Sequence, residues 1–457
     1  MNKPSTLLIL ICFSIFYACK TENSTVKIQE ISTEAPFDMP NIKIPDFSQC
    51  KTMSIVDFGA EQGDKEKTSR AIELAINEAN KIGGGVVIIP EGEWTTGKVH
   101  LKSNVNLHLN KGAVLLFSEN PEDYLPPVHS TWEGMECYNY SPLIYAYKCK
   151  NIAITGEGEI KAKMDVWEVW FERPPSHMNN LKRLYHLAAK GVPVEERQMV
   201  NGGSHLRPQF IQFNRSENIL LVGISITNSP FWVIHPYLSK DIVIRNVKVV
   251  AHGHNTDGVD PEMSQNILIE NCVFDQGDDA IAIKSGRNQD AWRLNTPSKN
   301  LVIKNCIVKN GHQLLAIGSE LSGGVENVFM NNCEVEEGAK LNHLVYIKTN
   351  ERRGGFVKNI HVNNIQAGKI DEGILGIETD VLYQWRDLVP TYEKRLTPIK
   401  NIYLENIKAT DVKFISRVLG QEELPVENIK LKNVLTDTIR NEKYVHKHLL
   451  DFTDEKS

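Results

Sequence analysis

The sequence is short of several features that mark other classes of protein. It has 51 Lys and Arg against 57 Asp and Glu, a net charge of −6, whereas proteins that bind nucleic-acid phosphates normally carry a basic excess. Beyond the N-terminus, no apolar run reaches the roughly 18–20 residues of a membrane span. No CxxC pair occurs, which disfavours a structural zinc site. With 41% hydrophobic and 24% charged residues, the composition predicts a globular protein without a nucleic-acid partner.

The one long apolar run lies at the N-terminus and indicates export. It extends from Leu7 to Tyr17 and is followed by Ala18 and Cys19. A small residue before Cys resembles the processing site of a bacterial lipoprotein, so residues 1–19 are predicted to be a signal peptide. A lipid on Cys19 would be the only membrane attachment, in the periplasm or on the outer membrane, and ordinary cleavage without a lipid is the alternative.

The strongest feature of the sequence is a repeat that consists of Asn, aliphatic, any, aliphatic, any, Asn and apolar residues. Successive copies start 23, 25, 34, 27, 32, 42 and 27 residues apart. The eight copies are NILLVGI from Asn218, DIVIRNV from Asp241, NILIENC from Asn266, NLVIKNC from Asn300, NVFMNNC from Asn327, NIHVNNI from Asn359, NIYLENI from Asn401 and NIKLKNV from Asn428.

The pattern within each copy predicts a strand, a corner and a second strand. The second and fourth positions are aliphatic and alternate with mostly polar ones, which is the period of a strand with one buried face. Asn at the sixth position suits a tight bend, because Asn tolerates left-handed backbone angles. Such a short unit buries its apolar face only by stacking on its neighbours, which predicts an all-β solenoid, a parallel β-helix. A leucine-rich repeat would need a helix and a Leu-dominated frame, and a β-propeller a longer repeat.

Residues 51–457 are predicted to form this single domain, as a monomer, and residues 20–50 a polar tether. An N-terminal α-helical cap is expected after Thr68, the predicted N-cap, because apolar residues recur at helical spacing up to the glycines at 83–85. Those apolar residues are Ala71, Ile72, Ala75, Ile76 and Ala79. The irregular spacing of the repeats predicts insertions at about residues 161–207, 286–299 and 380–398, which would wall a cleft.

Six cysteines remain after Cys12 and Cys19 are assigned to the signal peptide. Cys272, Cys306 and Cys333 occupy the seventh repeat position, where other copies carry Ile or Val. We therefore expect buried free thiols rather than disulfides.

Acidic residues concentrate in two adjacent coils. Asn255-Thr256-Asp257-Gly258 precedes one repeat, and Gly277-Asp278-Asp279 follows it, so that Asp257 and Asp279 are 22 residues apart, about one coil. Gly311-His312 and Tyr346-Ile347-Lys348 come in later coils. Three carboxyl groups within reach of each other would raise at least one pKa, which favours a general acid near neutral pH.

Other interpretations of these residues stay open. Asn-Thr-Asp-Gly is also a common turn sequence, and the acidic pair together with Asp260, Glu262 and Asp275 could bind calcium. In a regular strand Asp278 and Asp279 would point to opposite faces, so a corner or bulge is required for both to act.

The ordered set of motifs resembles glycoside hydrolase family 28, the polygalacturonase and rhamnogalacturonan galacturonohydrolase family of pectin-degrading right-handed parallel β-helix enzymes. The resemblance covers about residues 52–440 and includes the motifs at Asp257, Asp278-Asp279, His312 and Lys348. Four further segments resemble its bacterial, often exo-acting branch, namely Trp132-Glu133-Gly134, Arg207-Pro208, Asn228-Ser229-Pro230 and Trp232 to Pro236.

The resemblance implies a role for each of the matching residues. Asp278 would be the general acid that protonates the glycosidic oxygen, and Asp257 and Asp279 would activate water with inversion, a reaction that needs an acid and a base about 6.5–9.5 Å apart. His312 would tune the acid. Lys348 would pair with a uronate carboxylate as a point charge, and Asn255 would contact substrate. No metal and no cofactor are implied.

The sequence departs from the family pattern on the leaving-group side. The usual Gly-His-Gly is Gly311-His312-Gln313, and the usual Arg-Ile-Lys is Tyr346-Ile347-Lys348. The change removes a bidentate carboxylate partner and adds a ring on which a sugar could stack. The sugar there could be rhamnose, or Lys284 and Arg287 could supply replacement charge for galacturonate.

The leading hypothesis is an inverting, exo-acting hydrolase of α-galacturonosidic bonds in homogalacturonan or rhamnogalacturonan. One alternative is a hydrolase of another glycoside in pectin side chains. Less favoured are a calcium-dependent lyase of the pectate-lyase type and a β-helix that binds glycans without catalysis.

Overall fold

The structure is a computed structural model that describes residues 25–200, 205–381 and 393–455. The signal peptide predicted at 1–19, with Cys19, lies outside these residues. Within the described ranges, no helix is both long and apolar enough to cross a membrane.

The chain forms a parallel β-helix, as predicted. Its largest sheet has 20 strands and bends around the corners of the coils. These strands are Lys51–Ser54, Gly85–Ile89, Gly92–Thr96, Val105–Leu109, Ala113–Phe117, Lys150–Gly156, Glu159–Ala162, Glu217–Val222, Ser225–Thr227, Lys240–Arg245, Lys248–Ala251, Gln265–Glu270, Val273–Gln276, Ser298–Lys304, Ile307–Asn310, Val325–Val335, Val357–Lys369, Ile399–Val412, Val426–Ile439 and Leu449–Glu455.

A second face of the solenoid consists of a four-stranded sheet followed by a six-stranded sheet. Val259 connects the two sheets, because it forms isolated β-bridges to Ile234 of the first and to Ile281 of the second. This face positions the site described below. Its strands are Val99–His100, Ile144–Tyr147, Ile211–Asn214, Ile234–Tyr237, Ile281–Ile283, Gln313–Ile317, His343–Lys348, Gly373–Glu378, Phe414–Leu419 and Tyr444–Lys447.

The repeat positions behave as the sequence predicts. The aliphatic second and fourth positions stack in register along the solenoid, as in Ile267, Leu301 and Val328, and are completely buried. Asn at the sixth position adopts left-handed angles, with φ of 55° at Asn305. Cys272, Cys306 and Cys333 are buried free thiols in the core.

The first repeat position has a role that the pattern did not predict. The residues at this position are also left-handed, with φ between 52° and 61°, and from Asn266 to Asn428 their side-chain amides form a continuous ladder. Asn300 donates to Asn266 at 3.1 Å and Asn327 donates to Asn300 at 3.1 Å. The ladder pairs polar groups of neighbouring coils at a corner, which helps to fix their register.

The cap helix α1 (Lys65–Lys81) buries the predicted apolar stripe against the first coil. Its start was predicted wrongly: the N-cap is Asp64, whose carboxylate accepts a hydrogen bond from the amide of Lys67 at 2.9 Å. Thr68 lies inside the helix and donates its hydroxyl to the carbonyl of Glu61.

The tether predicted at residues 20–50 is wrong for its described part. Strands Lys27–Ile31 and Ile42–Asp46 form an antiparallel hairpin on the outside of the solenoid. Ile42 and Ile44 are buried there against Val243, Leu268 and Val302. The Ile-Lys-Ile alternation of a half-buried strand was present within a segment whose charged composition indicated a linker.

Three further helices come from the predicted insertions. Helices α2 (Asp165–Phe171) and α3 (Pro175–Ala189) occupy the first insertion, and α4 (Asn288–Leu294) the second. Another hairpin, Val128–Trp132 with Met135–Asn139, packs beside α3 and α4. Three 3-10 turns complete the described elements at Ile55–Phe58, Pro121–Tyr124 and Val194–Glu196. Residues 382–392 of the third insertion lie outside the described part.

Candidate active site

A polar cleft of about 290 Å³ opens on the second face of the solenoid, beside the first insertion. Its lining is densely charged. The acidic lining residues are Glu133, Asp257, Asp278, Asp279 and Glu320, and the cationic ones are Arg173, Lys284, Arg287 and Lys348. The remaining lining residues are Trp232, His254, Asn255, His312 and Ser319. Most of the residues predicted from sequence therefore meet in one place.

Stacking of the coils brings the three aspartates together. The amide of Gly258 donates to the carbonyl of Asp279 at 2.9 Å, which places Asp257 directly beside Asp279 in the adjacent coil. Asp278 and Asp279 lie at the bend between strands Val273–Gln276 and Ile281–Ile283, not within a strand. The corner required by the sequence is therefore present, and both side chains reach the cleft.

The corner depends on a close approach of two backbones at Gly277. A Cβ atom added to Gly277 would lie 2.4 Å from the amide nitrogen of Gly253 in the preceding coil. Any side chain at this position would push the coils apart directly beside Asp278. Glycine is thus required here by space rather than by backbone angle.

The three carboxyl groups differ in their exposure. The side chain of Asp278 is 19% exposed, whereas those of Asp257 and Asp279 are 4% and 1% exposed. Asp278 is consequently the carboxyl group that a bound molecule in the cleft reaches most readily. The other two form the floor.

His312 hydrogen-bonds Asp278, with 3.0 Å between its Nδ1 and the carboxylate Oδ1. The hydrogen bond raises the pKa of His312 to about 8. Burial opposes ionisation of Asp278, but the hydrogen bond and charge of His312 outweigh it and lower the pKa of Asp278. Near neutral pH the pair therefore holds one proton, which lies on the imidazole in the unliganded protein.

The two floor carboxyl groups are harder to ionise. Burial and the neighbouring charge of Asp278 raise the pKa of Asp257 to about 7. Burial also raises the pKa of Asp279, against the opposing charge of Lys348, whose Nζ lies 3.3 Å from its Oδ2. At least one pKa is raised, as predicted, but burial contributes more than the crowding of the carboxyl groups, and the raised groups are these two rather than Asp278.

Asp260 is a buried member of the cluster that the sequence indicated only as a possible calcium ligand. Burial and the adjacent Asp257 raise the pKa of Asp260 well above its ordinary value. Its carboxyl lies 3.5 Å from the Nζ of Lys284.

Lys284 and Arg287 differ from their predicted role as replacement charges for substrate. Both are about as buried as the core, 4% and 3% exposed. Lys284 lies within 3.5 Å of carboxyl oxygens of Asp257, Asp260 and Glu320. Arg287 pairs with Glu133 and Glu320. Since carboxylates of the protein already neutralise both cations, they hold the floor together rather than offer charge to a ligand.

Lys348 and Asn255 line the cleft, and Tyr346 does not. One ring face of Tyr346 stacks on His343, with centroids 4.5 Å apart and an interplanar angle of 7°. That face is therefore covered by the protein. The amide oxygen of Asn255 accepts a hydrogen bond from Arg207 at 3.1 Å.

One oxygen of each of Asp278 and Asp279 and a ring nitrogen of His312 lie within 4.8 Å of one another. Such a group could hold a metal ion. Lys348 and Lys284 bring positive charge to the same floor, which opposes binding of a cation there.

Sequence reasoning did not single out Arg173 or His254, which line one end of the cleft. The guanidinium of Arg173 hydrogen-bonds the Nε2 of His254. Arg173 comes from the first insertion, which carries no repeat, so only its place in a predicted wall of the cleft could have indicated it.

Comparison with known proteins agrees with the fold and identifies the family. Residues 194–447 match the model of glycosyl hydrolases family 28. A crystal structure of a hyperthermoactive exopolygalacturonase from Thermotoga maritima superposes with a TM-score of 0.82 and 36% identity, over 92% of this chain and 94% of that one.

More distant relatives fit the same pattern. A probable polygalacturonase of Vitis vinifera is 28% identical over 83% of this chain and 73% of its own length. An exo-poly-alpha-D-galacturonosidase of Dickeya chrysanthemi is 27% identical over 62% of this chain and 50% of its own length. The chain is therefore an enzyme that belongs to glycoside hydrolase family 28.

Proposed function

We propose that this glycoside hydrolase cleaves α-galacturonosidic bonds in pectic polysaccharides or oligosaccharides, acting from a chain end and with inversion. The observation that carries the proposal is the cleft itself, where three carboxyl groups lie between cations at either end. Cations suit an acidic sugar, and the carboxyl groups supply the acid and base of glycoside hydrolysis. The similarity to the Thermotoga maritima exopolygalacturonase supports both the bond and exo action.

The protonation step falls to Asp278, the most accessible of the three carboxyl groups. It would donate a proton to the glycosidic oxygen while the bond from that oxygen to the anomeric carbon breaks. His312, 3.0 Å away, holds the proton of the pair in the unliganded protein. During the reaction His312 passes this proton to Asp278, and Asp278 donates it to the oxygen of the leaving group. His312 is thus a positioning residue and a proton reservoir.

The hydrolytic water falls to Asp257 and Asp279. One of them, ionised, would remove a proton from water as its oxygen attacks the anomeric carbon from the face opposite the leaving group. The site gains one proton from water and loses one proton to the leaving group, so its net charge is unchanged after the reaction. Lys348 at 3.3 Å favours the ionised form of Asp279.

The spacing of the carboxyl groups makes inversion the step most in need of a test. Oxygens of Asp278 and Asp279 lie within 4.8 Å of each other, which is closer than the roughly 6.5–9.5 Å usual for inverting pairs. Asp257 lies beside Asp279 in the adjacent coil and is a second candidate for the base. We therefore assign the water jointly to Asp257 and Asp279, and the anomeric form of the first product decides the stereochemistry.

Recognition of the leaving-group sugar falls to Lys348, which would pair with its carboxylate. The Tyr at position 346, where the family usually has Arg, favours a second candidate in which that sugar is rhamnose. The Asn255 amide, fixed by Arg207 at 3.1 Å, would bind a sugar hydroxyl.

The first insertion supports exo action. Helix α2 ends just before Arg173, which lines the end of the cleft beside His254. A wall at that end would stop the chain after the sugar next to the scissile bond. The similarity to the Dickeya chrysanthemi exo-poly-alpha-D-galacturonosidase supports this assignment.

We also propose that the protein is exported and held by a lipid on Cys19, and that it acts as a monomer. Labelling with radioactive palmitate tests the lipid. The full-length chain should incorporate label and its Cys19→Ala variant should not, and equal labelling of both would refute the anchor.

The proposed reaction is tested by incubating the protein with polygalacturonate, rhamnogalacturonan backbone and defined oligogalacturonates. Release of galacturonate monosaccharide from the oligogalacturonates is the expected result. Release only from rhamnogalacturonan would favour the second candidate, and early mixed internal fragments would refute exo action.

A further inference from the structure

The cleft has two cationic ends along the axis of the solenoid. The coils that carry Asp257, Asp279, His312 and Lys348 succeed one another, since Val259 pairs with Ile281, Ile281 with Leu315 and Leu315 with Val345. Lys348 therefore lies at the C-terminal end. Arg173 lies at the opposite end, where its guanidinium contacts His254, three residues before Asp257.

The fold fixes Arg173 through the helix that precedes it. Arg173 follows the C-cap of α2, has a left-handed φ of 51°, and its amide donates to the carbonyl of Trp170. Phe171 packs against the backbone of Gly253 so tightly that a Cβ on Gly253 would meet its ring at 2.7 Å. The end of α2 is thus seated directly on the coil that leads to Asp257.

Arg207 fixes the other side of this contact. Its guanidinium lies 4.8 Å from the ring centre of Phe171 and 5.1 Å from that of Phe231. It is fully buried, and its hydrogen bonds go to the carbonyls of Pro230 and His254 and to the amide oxygen of Asn255. These acceptors are neutral, so the positive charge of Arg207 remains uncancelled by them.

The electrostatic balance differs between this end and the floor of the cleft. Lys284 and Arg287 on the floor, and Lys348 at the C-terminal end, each contact carboxyl groups of the protein. At the Arg173 end, burial and the charges of Arg173 and Arg207 lower the pKa of His254 to about 4, so its imidazole is neutral near pH 7. The charge of Glu133 also acts on Arg173 and Arg207, but Glu133 is shared with Arg287. The two guanidinium groups around a neutral ring therefore still make this end attractive to an anion.

We propose that Arg173 binds the carboxylate of the sugar on the opposite side of the scissile bond from Lys348. The inference rests on the proposed function and deepens it, because it makes both sugars that flank the bond acidic. Guanidinium has five donors in a planar fork, so it pairs with a carboxylate in bidentate fashion while it keeps its contact to His254. A neutral sugar at this position would leave the guanidinium without that partner and would bind more weakly.

Binding to thio-linked disaccharides, which resist cleavage, tests Arg173 without turnover. Calorimetry would compare a digalacturonide with an analogue that has neutral galactose at the non-reducing position. Because a hydrogen bond to a charged group contributes about 1.5–3 kcal/mol, we expect the wild type to prefer the digalacturonide by about 10- to 100-fold. Arg173→Met should lose this preference, and Arg173→Lys should restore part of it.

Arg183→Met is the matched control, because Arg183 lies in the same insertion, exposed, and donates to the carbonyl of Gln198. It should keep the wild-type preference. Equal affinity of the wild type for the two disaccharides, or an unchanged preference in Arg173→Met, would overturn the role of Arg173. A wild type that shows the preference yet releases no galacturonate from oxygen-linked trigalacturonate would instead refute the proposed function and leave the assignment of Arg173 in place.

Discussion

The ionisation of the cleft predicts a narrow pH range of activity. The base requires an ionised floor carboxyl group, and the pKa of Asp257 is raised to about 7 by burial and by Asp278. Activity should therefore fall as the pH drops below about 7. The acid requires the proton shared by His312 and Asp278, and the pKa of His312 is raised to about 8 by the hydrogen bond to Asp278. Activity should also fall as the pH rises above about 8.

Because the pKa values of Asp257 and His312 are only about one unit apart, activity is expected only in a narrow pH range. At pH 7.5 about three quarters of the base groups and about three quarters of the acid groups would be in the required form, so about six-tenths of the molecules are competent. At pH 6 or pH 9 the competent fraction falls to roughly one tenth, about sixfold below the maximum. Because the groups interact, the two limbs belong to the cluster rather than to single residues.

The assay is kcat/KM on trigalacturonate between pH 5 and pH 10 at constant ionic strength. His312→Gln provides the internal test, since Asp278 must then hold the proton itself and the alkaline limb should move to lower pH. A profile that is flat between pH 6 and pH 9, or an alkaline limb that is unchanged in His312→Gln, would refute the reasoning.

Three further predictions concern the acid, metal dependence and the core. Asp278→Asn should lower kcat by about 10²- to 10⁴-fold with an unchanged circular dichroism spectrum, whereas Asp275→Asn, in the same coil but paired with His252, should keep activity. Chelators should leave activity intact and no ultraviolet-absorbing unsaturated product should form; the opposite would indicate a calcium-dependent lyase. Ile303→Ala should destabilise the stack by about 2–5 kcal/mol and Ile303→Val by about 0.5–1.5 kcal/mol in urea unfolding, because Ile303 is completely buried; equal effects would contradict this packing.

The β-helix was predictable because its information is local and repeated. Each copy of the repeat has the same strand periodicity and the same left-handed corner. Alignment of the copies therefore predicts the register in which Ile267, Leu301 and Val328 stack. The hairpin at residues 27–46 was missed because two short alternating segments without a repeat have no such reinforcement. Its position depends on a groove of apolar side chains formed by distant strands.

The same distinction applies to the site. Asp257, Asp278 and Asp279 follow from motifs at fixed places in the coils, and the structure brings them together. The partners of the Lys and Arg side chains could not be predicted from sequence. Lys284 pairs with Glu320 and Arg287 pairs with Glu133 and Glu320, which come from separate segments of the chain. Arg173 depends on how α2 docks against Gly253, a contact between residues far apart in the chain.

The central claim is tested most directly by proton NMR of the first turnovers on trigalacturonate whose reducing end is blocked by reduction. We expect galacturonate to be released from the non-reducing end and to appear first as the β anomer, formed from an α linkage by a water held at Asp257 and Asp279. Initial release of the α anomer would contradict inversion, and failure to consume the trisaccharide would contradict the assignment of this cleft to galacturonosidic bonds.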